Sequence, residues 1–461
     1  MEEIDEQNWN FAHRLFQCVA AASRPLHVNE LAEFLAFDFE AGSTPTFLSD
    51  WRPEDPAHTV LSICSSLLAV IKQGDGSPVV QFAHFSVKEY LTSTRLAEAK
   101  NTISHFHVSM TTAHTIVAQA CLGVLLHLDE DVTKNSLEDF PLALYAAEHW
   151  VGHAMFENVS SSVEDGMKRM FNPGRSHLYI WTWIYDPEDS RRQYGVSERP
   201  IEARATPLHY AAFCGMHDIV KFLIIENSQD VIAVGFDDKE TPLHSASRRG
   251  HADVARLLFE HGADANIQDG RERTPLHLAS GIGHVEVARV LLEHGADTKV
   301  QNVTGCGPLE WASSGGHVAV VRILLENGAD AKAQDGQNYT PLHVAQGEEV
   351  ARLLLEHGAD PNALKFDSQT PLHHLSYQGR GAAARVLLEH GVDANARDAN
   401  NATPLHVASD RGHHDIVRLL LQHGADIHAQ NDRGQTPFMI ATEYHDIIQI
   451  LLEHGAEDHR K

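Results

Sequence analysis

Basic residues are scarce in this chain: 36 lysines and arginines stand against 63 aspartates and glutamates over 461 residues, a formal net charge of −27 at pH 7. A surface of that sign repels phosphate backbones and anionic headgroups, which argues against nucleic-acid binding and against adsorption to a membrane. Cysteine is also sparse. The five residues (Cys18, Cys64, Cys121, Cys214, Cys306) form no CxxC pair, so neither a disulfide framework nor a zinc knuckle is expected, and reduced thiols suit an intracellular setting, cytoplasmic or nuclear. The longest apolar run, Ile116–Leu128, is broken by Gln119 and His127 and is too short to read as a membrane span. The opening MEEIDEQNWNF lacks the apolar core of a signal peptide. GxxxxGK[ST] is absent, which removes the loop that cradles nucleotide phosphates, and no GxSxG nucleophile elbow occurs.

What the chain does have is repetition. RTPLHLASGIGHVEVARVLLEHGADTKVQN (273–302) returns as ATPLHVASDRGHHDIVRLLLQHGADIHAQN (402–431), with worn copies between and around. Its proline falls at Pro207, Pro242, Pro275, Pro308, Pro341, Pro371, Pro404 and Pro437, at gaps of 35, 33, 33, 33, 30, 33 and 33. A 33-residue period carrying T-P-L-H-x-A resembles the ankyrin repeat, a helix–turn–helix unit that stacks into a solenoid. The letters have mechanical roles. Thr caps a first helix, Pro suits its first turn, and Leu276 and Leu405 point into the stack. His should bond neighbouring backbone, so most of the 33 histidines belong to the frame. Ala279 and Ala408 let helices approach. Gly250, Gly283, Gly316 and Gly412 stand where the chain must reverse with positive φ. VARLL or IVRLL then supplies the apolar stripe of a second helix, which EHGAD stops.

The departures predict weak places. The fourth copy, GPLEWASSGGH, loses the Thr cap and the bonding His and carries Trp311. The fifth is three residues short between its helices, and the eighth is two short and ends in charge. The first, TPLHYAAFCGMHDIVKFLIIEN, is too apolar at Phe213, Cys214, Met216, Phe222, Ile224 and Ile225 to face water all round, so the upstream half is expected to cover it.

Turns and exposed first-helix positions vary while the frame stays fixed, and in this architecture they line a concave face suited to another protein. They comprise Asp237, Asp238, Glu240, Arg248, Arg249, Arg271, Arg273, Ile282, Tyr339, Tyr377, Gln378, Asp410, Arg411, Arg433 and Gln435. Arginine and tyrosine are frequent interface anchors.

Residues 1–200 show no repeat. Helical spacing runs through Phe11–Val19 and 27–37. PVVQFAHFSVKEYLTS (78–93) reads as a strand, a cap at Ser86 and a helix, an order compatible with a winged helix over 1–100. A helical region follows over 101–190, with a linker at 191–200 and the repeats over 201–461. Residues 1–100 hold 7 basic against 14 acidic side chains, the wrong sign for DNA, so the winged helix is read as a protein-packing unit. FQCVAAASRPLHVNELAEFLAF, VVQFAHFSVKEYLTS, AHTIVAQACLGVLL and FPLALYAAEHWVGHA resemble the segment that follows the nucleotide-binding domain in fungal NACHT–ankyrin proteins, the NLR-like STAND group. The resemblance implies partner sensing through repeats; the missing phosphate loop means that no switch ATPase is assigned here.

His149 and His153 share a helical face, but Trp150 stands where a zincin needs Glu, so they are read as packing residues. The expected architecture is mainly α: eight ankyrin repeats preceded by a winged-helix-like and helical domain. The expected function is non-enzymatic protein binding, with no cofactor and no metal. Two other classes stay open, a regulatory subunit that presents substrates to a bound enzyme, and an enzyme with its site in 105–195.

Overall fold

The computed structural model describes residues 4, 8–40, 44–64, 67–74, 76–99, 102–187, 205–235 and 238–457. They form two compact units, Met1–Asn227 and Ser228–Lys461. The linker expected at 191–200 and Asp237 lie outside the described residues.

The first unit begins with α1 (Trp9–Ala21), β1 (Leu26–His27), α2 (Val28–Glu33), β2 (Phe37–Asp38), β3 (Thr46–Phe47), α3 (Pro56–Cys64), β4 (Leu68–Lys72) and β5 (Pro78–Phe82). Strand β5 lies between β1 and β4, antiparallel to both, with Val80 opposite Leu26 on one side and Val70 on the other. Val79, Val80, Leu26 and Leu68 are buried. Three helices closed by a small antiparallel sheet make the winged helix that the sequence suggested. The helix after β5, α4 (Phe85–Leu91), is capped by His84, whose ring accepts from the Ser86 N–H, and not by Ser86 as expected. Glu33 is buried on α2. It accepts from the Leu142 N–H at 2.6 Å and pairs with Arg52, which fastens the winged helix to the helices that follow.

Those helices are α5 (Thr94–Ala97), α6 (Met110–His127), α7 (Lys134–Leu137), α8 (Leu142–Ala154), α9 (Ser160–Met170) and α10 (His177–Ile184). Helix α6 has 18 residues and, by length and composition alone, could cross a bilayer, further than the interrupted run suggested. It packs on α1, α8 and α9 and buries ten of its residues, and a helix apolar on most sides is what a core position requires. His153 is also buried. Its Nε2 takes a 2.8 Å bond from the Tyr145 hydroxyl, and its Nδ1 lies 2.8 Å from His114 Nδ1, so the ring is held within the helical core.

The first repeat, helices α11 (Pro207–Phe213) and α12 (His217–Glu226), belongs to this unit. Helix α12 packs on α9, the Lys168 ammonium lies 5.4 Å from the Phe222 ring centre, and Trp181 of α10 meets Tyr210 edge-on at 6.3 Å. Upstream helices thus pack on the apolar first copy, where Phe213, Met216 and Ile224 are buried and Cys214 and Phe222 half-buried; Ile225, also expected to be covered, stays 72% exposed.

The second unit is a stack of seven repeats. First helices run Pro242–Arg249, Pro275–Ile282, Pro308–Gly315, Pro371–Gln378, Pro404–Arg411 and Pro437–Ile440. Second helices run Ala252–Glu260, Val285–Glu293, Val318–Glu326, Glu348–Glu356, Gly381–Glu389, His414–Gln422 and His445–Glu453. In the shortened fifth repeat the segment after Pro341 forms turns in place of a first helix. Gln346 donates its N–H to Ser313 of the preceding repeat. Gly250, Gly283, Gly316 and Gly412 have φ of 83°, 90°, 72° and 79°. A Cβ on Gly283 would stand 2.5 Å from the His317 ring, so close approach and backbone both call for glycine.

Candidate interaction surface

Three kinds of histidine, all present in the second, third and seventh repeats and some in the others, build the frame on which the surface rests. The TPLH histidine closes a box with its Thr: His277 Nδ1 accepts from the Thr274 N–H at 3.1 Å and lies 2.9 Å from its hydroxyl. Its Nε2–H then donates to the Cys306 carbonyl of the next repeat at 3.0 Å. His244, His343, His373 and His406 repeat this tie to the carbonyls of Arg273, Gln369, Ala402 and Gln435. The histidine of the GH turn bonds backwards: His284, His317 and His413 donate to Arg248, Gly281 and Tyr377 carbonyls, each at 3.1 Å. A third, in EHG, donates Nδ1–H to the carbonyl four residues before it, as His294 does to Val290 at 2.8 Å. Burial lowers the TPLH rings below the ordinary 6.5, to about 4 at His244, His277 and His343. Protonation would also remove the Nδ1 lone pair that the Thr N–H uses.

The fingers between repeats form the other wall. Gly270, Val303, Gly336, Phe366, Ala399 and Asp432 each donate a backbone N–H to the preceding finger, at Asp238, Arg271, Thr304, Gln337, Asp367 and Asn400. At five finger bases an Asp or Asn side chain (Asp269, Asn302, Asp335, Asp398, Asn431) accepts two backbone N–H groups, as Asp398 does from Asn400 and Ala402, whereas Lys365 stands at the base of the finger between the fifth and sixth repeats.

The expected surface residues separate into two groups. In the first, charge is occupied inside the protein. Arg273 is only 8% exposed: it meets Asp269 at 2.6 Å and Glu240 at 3.0 Å, while Glu240 also holds Arg248. Arg273 is thus no free surface arginine but a brace between two repeats, and Glu240 and Arg248 are partly committed with it. Asp238 stands 3.7 Å from both Arg271 and Arg273. Arg249, Arg271 and Ile282 are exposed.

The second group comes together. Tyr377, Asp410, Arg411, Arg433 and Gln435 line one groove of about 600 Å3, with Asn400 and Asp432 of the fingers on one side and Val407 and Met439 of the first helices on the other. The Arg411 guanidinium lies 4.1 Å from the Tyr377 ring centre, and Tyr377 remains 45% exposed. Tyr377 stacks on His374 at 6.0 Å, and His374 meets Tyr339 edge-on at 4.8 Å, under the Lys365 ammonium. Tyr339, Tyr377 and Arg411 thus form one aromatic and cationic line across successive repeats, with Gln378 exposed beside it. Sequence reasoning missed His374, Met439 and the exposed Phe366 on its finger. His374 is the residue after the framework His, where the other copies carry Tyr, Ser, Leu, Trp, Val or Ile, and a titratable ring at that position was the available signal.

A family model described as ankyrin repeats matches residues 193–461 in six overlapping stretches, and one described as the winged helix domain of GPI inositol-deacylase matches residues 4–104. The chain is 30% identical over 275 residues to azaphilone pigments biosynthesis cluster protein L of Monascus ruber, across 57% of each protein. It is 37% identical over 91 residues to human palmitoyltransferase ZDHHC13, across 17% of this chain and 14% of that one. The chain thus spans little more than half of the first relative and a small part of the second. The crystal structure of the human ASB11 ankyrin repeat domain aligns with 48% of this chain and all of its own, at 29% identity and a TM-score of 0.44. Repeats of this type are protein–protein interaction modules, and the chain belongs to the ankyrin-repeat family, its repeats preceded by a winged helix domain of the GPI inositol-deacylase type.

Proposed function

We propose that the chain is a non-enzymatic binding protein whose partner, another protein, seats in the groove lined by Tyr377, Arg411 and Arg433. The observation that carries this reading is the exposed Tyr377–Arg411 pair inside a preformed groove. A two-χ aromatic and a guanidinium already held together lose little freedom on binding, which is what an interface anchor requires. A winged helix of a type that accompanies NACHT domains, placed ahead of the repeats, together with a fungal relative, supports a place in fungal NLR-like signalling or non-self recognition.

The test compares partner capture by the whole chain with capture by a Tyr377→Ala, Arg411→Glu, Arg433→Glu variant. A control, Arg256→Glu with Arg289→Glu, makes the same charge change on exposed second-helix positions. All three are first matched by circular dichroism. Binding should fall at least about tenfold in the groove variant and stay unchanged in the control. Equal binding by parent and groove variant would remove the groove from consideration.

A further inference from the structure

Cys306, Glu310 and Asp335 meet at the seam between the fourth and fifth repeats. Cys306 directly precedes Gly307, the N-cap of the fourth repeat's first helix. Glu310 stands where five other repeats of this unit carry the tying histidine, and it cannot as a carboxylate donate to the next repeat's carbonyl. Asp335 is the base of the next finger: its Oδ1 accepts from the Gln337 and Tyr339 N–H groups, both at 2.8 Å, and its Oδ2 faces Cys306 Sγ at 3.6 Å. One donor atom from each residue lies within 4.8 Å of the other two. Glu310 is 4% exposed and takes a 2.7 Å bond from the Gly307 N–H, yet among the described residues no Lys, Arg or His stands in ion-pair range of it. A buried carboxyl without a counter-cation is costly, and here it shares its space with a second carboxylate and a thiol.

We propose that these three side chains are a divalent-metal site of the zinc type that clips the fourth repeat to the fifth. The chemistry of the set points to the metal, since a thiolate with two carboxylates favours zinc over magnesium or calcium. Two ligands of a tetrahedral zinc stand roughly 3.3–3.8 Å apart, given bond lengths of about 2.0–2.3 Å. The Cys306–Asp335 separation already has that length, and the Glu310 carboxyl, within 4.8 Å of both, is near enough to complete the set. The incoming ion takes the place of the Cys306 thiol proton and the Glu310 carboxyl proton, both of which leave to solvent, and a water completes the fourth position. The location gives the clip a purpose. This seam lacks the histidine tie, and the repeat beyond it lacks a first helix. The signal is hard to find in sequence because Cys306, Glu310 and Asp335 match no ligand spacing; only the stacking of one finger on another brings them together.

The experiment titrates the full chain with Co2+ and then displaces it with Zn2+. One Co2+ per chain should bind with a thiolate-to-metal charge-transfer band that Zn2+ abolishes. Surface histidines that take up cobalt give no such band. Cys306→Ser should lose the band, and Glu310→Gln and Asp335→Asn should weaken binding at least about tenfold. Asp335→Asn is a fair test of the ligand because Asn302 and Asn431 hold the equivalent finger turns. Zn2+ at a hundred times its Kd should raise the melting temperature by about 5 °C in the parent and leave Cys306→Ser unmoved. A chain that shows no charge-transfer band, or a band that survives in Cys306→Ser, would overturn the proposal.

Discussion

A single histidine in TPLH does work that no other side chain matches in so small a space. It accepts from its own cap, donates to the next repeat and does both only when neutral. That dependence makes stability a function of pH. His244, His277 and His343 titrate near 4 in the folded chain and near 6.5 when unfolded. The unfolded chain therefore binds more protons between those values, and stability present above about pH 6.5 is lost as the pH falls toward 4, at roughly 1.4 kcal/mol per pH unit for each ring. Glu310 acts with opposite sign: burial raises it to about 8, so its protonated form favours the fold and that favour fades as the pH rises from 4.5. Glu33, Asp230 and Glu240, also raised by burial, act with Glu310, but the histidines lowered by burial, His153, His373, His374 and His406 among them, outnumber these carboxyls and fix the net direction. The urea midpoint, measured with a chelator present, should fall from pH 7 to pH 5, and a flat or rising midpoint would contradict the histidine account.

At the scale of the element, the copies that lose length are the ones that depart in structure. The fifth repeat, three residues short, gives up its first helix, and the eighth keeps a single turn over Pro437–Ile440. The fourth keeps its helix because Glu310 takes over the inward half of the histidine's task by accepting from Gly307. Its outward half, the bond to the next repeat, has no substitute among the described residues, where the Tyr339 carbonyl accepts only from Asp335 of its own finger. Restoring the phrase with Gly307→Thr and Glu310→His should stabilise the metal-free chain by about 1–2 kcal/mol, read from the shift in urea midpoint. Gly307 has extended φ and ψ of −96° and 173°, and a Cβ there would meet nothing closer than 3.7 Å, so the threonine fits. Most of this was legible in the sequence, because helix ends, caps and reversals are set by residues adjacent in the chain. The groove was legible in part: exposed, variable positions such as Tyr377, Arg411 and Arg433 follow from the period. Arg273 did not follow, because its acidic neighbour Glu240 lies on another repeat and turns a surface arginine into a brace. The cap at His84 escaped for a local reason, since a serine two residues later offered the commoner choice.

For the whole molecule, the informative boundary is the one between Asn227 and Ser228, which leaves the first repeat with the upstream helices. A fragment starting at residue 201 keeps that repeat but loses Lys168, Trp181 and the helices that carry them. It should self-associate in light scattering at concentrations where the full chain gives a single lower-order species. A fragment that stays monomeric and melts as the full chain does would mean that α9 and α10 do not shield the repeat. The finger bonds have a wider consequence. Val303 meets Arg271, Gly336 meets Thr304 and Asp432 meets Asn400 across one spacing of 32 residues, and the shortened copy re-forms the same bond from Phe366 to Gln337 across 29. Each junction uses the same handles, so a gene that gains or drops one 33-codon copy creates a junction of a kind it already contains. Such a chain can change its length, and with it the extent of its binding face, by duplication or loss of whole units without inventing new contacts.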